Sequence, residues 1–96
     1  MSEKLPFVYI LASGRNGTVY TGVTSHLQKR LHEHKSGAAD GCTKKYHVHM
    51  LVYYERHETM YDAIAREKQI QAGSRKKKLA LIEGLNPMWR DLSPEL

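Results

Sequence analysis

The 96 residues contain one cysteine, Cys42, so no internal disulfide can form and no thiolate zinc site can rest on it alone. Proline occurs three times and Phe and Trp once each, and there is no low-complexity tract, linker or repeat. No domain boundary is therefore drawn, and residues 1–96 read as one domain. No apolar run exceeds Phe7–Ala12, six residues, whereas a membrane-spanning helix needs about 20. The first residues lack the apolar stretch of a secretory signal, so a reducing cytoplasm is the expected compartment. A hydrophobic fraction of 41% with mean hydropathy −0.58 excludes both a membrane-embedded and a disordered chain.

Acidic residues are the minority, 10 against 15 Lys+Arg, for a net charge of +5. Arg66, Lys68, Arg75, Lys76, Lys77 and Lys78 lie in one short stretch opposed only by Glu67, so the rest of the chain balances to zero. A compact basic patch on a small chain suits a polyanionic partner, most often nucleic acid. The alternative is an ordinary solvated face.

Phe7–Ala12 predicts a strand buried on both faces, Gly14–Gly17 a turn, and Thr18–Val23 a second strand. Ser25 and Gln28 form a capping-box pattern that opens a helix from about His26 to Ser36, with Gly37 as its stop. Val48–Tyr54 predicts a third strand. Thr59, with Asp62 three residues on, caps a second helix ended by Gly73; Ser74 caps a third that stops at Gly84. The order ββαβαα predicts an α+β fold: a small three-stranded antiparallel sheet flanked by helices.

With Gly14–Arg15 as the turn centre, Tyr9 falls opposite Tyr20. Any even hairpin loop puts Tyr9, Tyr20 and Gly22 on one face. That face is either a cross-strand aromatic pair or an opening beside a bare glycine through which a ligand nears the backbone. At 100° per residue, Leu27, Leu31 and His34 share the buried stripe of the first helix. Arg30 borders it, while Lys29, His32 and Glu33 point to solvent. In the second helix Met60, Ala63, Ile64 and Ile70 define an apolar face with Glu67 near its centre. A carboxylate there needs a partner. Either it pairs with Arg30 or Arg66, or it lines a cleft and holds a hard divalent cation.

Other polar groups offer less. The His47/His49 and His32/His34 pairs have no evident third ligand, and Cys42 has no partner base. Tyr53, Tyr54 and Trp89 either stack on exposed bases or fill the core.

The ordered set resembles the GIY-YIG nuclease superfamily. Phe7-Val8-Tyr9 stands at the first tripeptide and Tyr20-Thr21-Gly22 at the second. Arg30 follows ten residues after Tyr20, with His34 one turn later, and Glu67 directly follows Arg66. Asn86 falls near the family's C-terminal asparagine, with looser spacing. The likeness is greatest to small stand-alone bacterial members. It extends through Lys44-Lys45-Tyr46, Leu51–Glu55 and Asn86–Leu92.

The resemblance implies an endonuclease that hydrolyses phosphodiester bonds of nucleic acid, DNA favoured over RNA, with Mg²⁺ or Mn²⁺ and no organic cofactor or membrane partner. Tyr9 is then the general base, with Tyr20 beside it as orienter or alternate. A free phenol ionises near pH 10, so neighbouring cationic charge must favour the phenolate. Arg30 holds the scissile phosphate. Glu67 holds the metal, and His34 orients Tyr20, moves a proton or fills the core. Gly22, Arg66, Lys68, Arg75, Lys76, Lys77, Lys78 and Asn86 are the expected nucleic-acid contacts. The alternative is a binding module of the same fold that does not cut.

Overall fold

The apolar run Phe7–Ala12 becomes the central strand, paired along both edges and covered on both faces by a separate apolar cluster. The computed structural model of the chain describes residues 5–36 and 48–95. Gly37, Cys42, Lys44–Tyr46 and His47 lie outside the described residues. The elements are β1 (Phe7–Ala12), β2 (Val19–Thr24), α1 (Leu27–Ser36), β3 (Met50–Arg56), α2 (Met60–Ala72) and α3 (Arg75–Leu85), followed by a 3₁₀ turn at Ser93–Glu95. The fold is the expected α+β arrangement, an antiparallel sheet in the order β2-β1-β3. Among the described residues no helix is long and apolar enough to cross a membrane.

Strand ends differ from the sequence expectation. β2 begins and ends one residue later, and β3 runs two residues further, to Arg56. The hairpin loop spans four residues, 14–17. Ser13 N–H donates to Thr18 O and Gly17 N–H to Gly14 O, each at 3.0 Å, with Asn16 at φ 57°. The β1–β3 register shifts between Ile10, opposite Tyr53, and Leu11, opposite Leu51, leaving Val52 as an extra residue. This bulge turns Val52 and Tyr53 to one side and keeps Leu51 on the other.

Each sheet face has its own core. Val8, Ile10 and Ala12 pack with Ala63, Ile70, Ile82 and Trp89 beneath α2 and α3. Tyr9 and Leu11 pack with Leu27 and Leu31 of α1 and with Val48, Leu51 and Leu92.

Helix ends follow local chemistry. Thr59 Oγ1 accepts from Asp62 N–H and Ser74 Oγ from Lys77 N–H, as capping requires. At the start of α1, Thr24 Oγ1 accepts from His26 N–H at 3.0 Å and the first helical residue is Leu27. Gly84 lies inside α3, which ends at Leu85 with Asn86 as its cap.

Candidate active site

Parity of the hairpin loop decides which side chains share a face. A four-residue loop is even, so Tyr9, Tyr20 and Gly22 do lie on one face. The register is offset from the expected one, however: Tyr9 opposes Gly22, and Tyr20 opposes Leu11. The tyrosines are therefore diagonal neighbours, with ring centroids 6.4 Å apart. The Tyr9 ring lies over Gly22, where an added Cβ would come within 2.5 Å of Cζ and Oη. The space above the glycine is filled by Tyr9 itself, and Gly22 is buried. Gly22 therefore packs against the aromatic ring of Tyr9.

From the opposite side, α1 brings His34 edge-on against both rings, at 5.8 Å from Tyr9 and 5.4 Å from Tyr20. Tyr9 Oη and His34 Nε2 share a hydrogen bond of 3.0 Å. Both residues are buried, whereas Tyr20 and Arg30 are half-buried and carry the cluster to the surface. Arg30 Nη1 pairs with Glu33 Oε1 at 3.1 Å, so Glu33 does not simply face solvent as expected. The Arg30 pKa stands above its ordinary value. Hydrogen bonding to Tyr9 is the main cause, opposed by desolvation and assisted by Glu33 and Tyr20. Tyr9, Tyr20, Arg30 and His34 thus converge on one spot.

Glu67 occupies a different position. Ala63 and Ile70 are the buried residues of α2, Ile64 is 39% exposed and Glu67 is half-buried, so the packed stripe is rotated from the expected one. Neither arginine is its partner. Arg66 Nε donates to Glu55 Oε1 at 2.9 Å, and Arg30 pairs with Glu33. Gln71 Nε2 instead donates both to Glu67 Oε2 and to Thr21 O, the latter at 3.2 Å. Thr21 is the β2 residue between Tyr20 and Gly22, so Glu67 is tethered to the edge strand that carries the second tyrosine.

No group of three or more His, Cys, Asp or Glu that could cage a metal is present among the described residues. A lone, half-buried carboxylate without an ion pair among those residues still fits one class of ion. Magnesium is commonly held by one or two carboxylates, with waters and substrate phosphate completing the shell.

Several expected nucleic-acid contacts are committed within the fold. Arg66 also donates to Gln69 Oε1 at 2.7 Å. Arg75 Nη2 donates to the carbonyls of Asn16 and Gly17, at 2.8 and 2.7 Å, and so clasps the hairpin loop. Asn86 is 3% exposed. Its Nδ2 donates to Val52 O at 3.2 Å and Arg90 O at 2.8 Å, and its Oδ1 accepts from Arg90 N–H at 3.0 Å. It serves the bulge rather than the surface. Lys68, Lys76 and Lys77 are exposed and Lys78 is half-buried. Tyr53 and Trp89 are core residues, and Tyr54 rests against Phe7 at 6.1 Å.

Two features lay outside the sequence expectations. Glu55 accepts from Tyr53 Oη, His57 Nε2 and Arg66 Nε. Burial opposes its ionisation, but these three donors outweigh it and lower its pKa; burial and the carboxylate push Tyr53 up to about 12. The alternation Tyr53 and Glu55 in β3, continued by His57 just past its end, was the available signal. Gln71, one helical turn beyond Glu67, was the other.

The GIY-YIG catalytic domain family matches residues 5–80. A UPF0213 protein of Staphylococcus saprophyticus is 37% identical over 76 residues, covering 79% of this chain and 92% of its own. A UPF0213 protein of Staphylococcus aureus is 38% identical over 77 residues, covering 80% and 93%. The solution NMR structure of the UPF0213 protein from Bacillus halodurans shares the fold with a TM-score of 0.57 at 26% identity, over 91% of this chain and 92% of that one.

Proposed function

The chain belongs to the GIY-YIG catalytic domain family, and on that premise we propose that it is a metal-dependent endonuclease acting on nucleic acid, DNA in preference to RNA, in the cytoplasm. The observation that carries this reading is the buried hydrogen bond of 3.0 Å between Tyr9 Oη and His34 Nε2, with Arg30 and Tyr20 at its rim.

A neutral phenol is a poor base, and the Tyr9–His34 pair answers that difficulty. With His34 neutral and its proton on Nδ1, Nε2 accepts the phenolic proton as Tyr9 takes one from the attacking water. No free phenolate need accumulate. The interaction that makes Arg30 hold its proton more tightly also favours negative charge on Tyr9. Arg30 then faces the scissile phosphate and offsets the charge that develops on its oxygens. Tyr20 orients the water at the mouth. Glu67 would hold Mg²⁺ or Mn²⁺, which when bound supplies Lewis-acid activation and alignment of the phosphate. Lys68, Lys76, Lys77 and Lys78 track the flanking phosphates.

The test is cleavage of labelled single-stranded, duplex and branched DNA and of RNA, with Mg²⁺, Mn²⁺ or EDTA. Metal-dependent cutting that Tyr9→Phe abolishes supports the reading. Salt-sensitive binding without cutting on every substrate replaces it with the non-cleaving module. Absence of any salt-sensitive binding overturns both.

A further inference from the structure

Gln71 is an exposed residue whose carboxamide is nonetheless fully engaged as a donor. Nε2 donates to Thr21 O at 3.2 Å and to Glu67 Oε2. Ordering an exposed, rotamer-rich glutamine costs conformational entropy. Solvation alone gives it no reason to bridge a helix carboxylate and a strand carbonyl. The two acceptors are also not equivalent in kind. One is a side chain that can swing on its χ angles; the other is backbone of the edge strand, fixed between Tyr20 and Gly22 by the β1 ladder.

We infer that Gln71 is a positioning residue for Glu67: it fixes the carboxylate against β2 and leaves the second oxygen to a divalent cation. The inference rests on the metal role proposed above. The chemistry of the amide suits the task. Its two N–H groups serve two acceptors at once, and it is uncharged, so it orients the carboxylate without neutralising it. A lysine here would form an ion pair with Glu67 and compete with the cation; a methionine would keep the length and apolar stem but remove both donors. Groups that orient a metal ligand from behind typically change affinity or activity by 10- to 100-fold when removed.

The experiment compares the parent, Gln71→Met, Gln71→Lys and Glu67→Gln. Mn²⁺ uptake by the protein alone is read from water-proton relaxation, alongside melting temperature and, where the parent cuts, single-turnover cleavage. Gln71→Met is expected to melt within a few degrees of the parent and to bind nucleic acid equally in EDTA. Its Mn²⁺ affinity should fall about tenfold or more, with the single-turnover rate falling about 10- to 100-fold. Gln71→Lys should lose more of both. Parental Mn²⁺ affinity in Gln71→Met overturns the inference and leaves the nuclease reading intact. Mn²⁺ uptake that Glu67→Gln does not reduce overturns the metal assignment and this inference with it. A parent that binds Mn²⁺ through Glu67 and Gln71 but cuts nothing supports the inference while overturning the nuclease reading.

Discussion

Adding one methyl group at Gly22 should cost this fold more than most single substitutions in a strand. The new Cβ would sit 2.5 Å from Tyr9 Cζ and Oη and 3.0 Å from Cε1. Tyr9 is 1% exposed and is hemmed in by Tyr20 and His34, so the ring cannot yield without breaking its bond to His34. Overpacking of this kind costs about 1–3 kcal/mol, and the gain from replacing glycine in a strand returns about 0.5–1 kcal/mol. A net loss of about 1–2 kcal/mol corresponds to roughly 5–15 °C in melting temperature for a domain of this size. The cause can be isolated by a double-mutant cycle. In a Tyr9→Ala background the methyl has room, so Gly22→Ala should become neutral or mildly stabilising. In a Tyr9→Phe background Cζ remains and the cost should persist. Thermal and urea melts followed by circular dichroism on these variants decide the matter. Equal effects of Gly22→Ala with and without the ring would refute the packing argument.

Tyr9→Phe should lower single-turnover cleavage by about 10²–10⁴-fold with nucleic-acid affinity near parental, and loss of its buried hydrogen bond to His34 should lower stability by about 1–3 kcal/mol. Cleavage at the parental rate would transfer the role to Tyr20. His34→Ala should lower the single-turnover rate as well, and a parental rate in that variant would exclude His34 as acceptor. Asn86→Ala should destabilise by about 1–3 kcal/mol, since it removes the buried donor to the Val52 carbonyl and two bonds to the Arg90 backbone; a urea midpoint unchanged from the parent would count against this. Burial opposes ionisation of Asp91, but the Lys35 ammonium, Ser93 and the Leu51 N–H outweigh it and hold its pKa at about 2. A depressed carboxylate contributes stability above its unfolded value near 4 and loses it as pH falls towards 2. On the order of 1 kcal/mol should disappear over that window, discounted because Lys35 is partly exposed, and Lys35→Met should flatten that pH dependence.

Local signals were the readable ones. Thr59 and Ser74 announce their helices because a capping hydroxyl reaches only two or three residues along the chain. The shared face of Tyr9, Tyr20 and Gly22 survived a wrong register because parity, unlike pairing, depends only on whether the loop is even. The same logic explains what stayed hidden. The acceptors of Arg75 lie 58 and 59 residues away, so a basic run looks solvated until the fold closes on it. The bulge at Val52 removes two-residue periodicity where β3 meets β1, and Asn86 donates to a carbonyl 34 residues away. Glu67 was placed at the centre of an apolar face because Ile64 was counted as core, whereas α2 rolls towards Ala63 and Ile70 and leaves Ile64 outside.

Arg75 and Arg66 have a further consequence through what they withhold. Both arginines of the 66–78 stretch donate to internal acceptors, although Arg75 stays exposed, and the cations with no such tie among the described residues are lysines: Lys68, Lys76, Lys77 and the half-buried Lys78. A lysine meets a phosphate as a point charge on a flexible stem and lacks the planar fork that reads a guanine edge. Such a surface releases counterions without preferring one sequence over another, and its grip shifts from one phosphate to the next with little change in energy. On the proposed nuclease reading the lysine surface would therefore slide along a polyanion by short steps, and selection of the place to cut would fall to the shape admitted beside Tyr20.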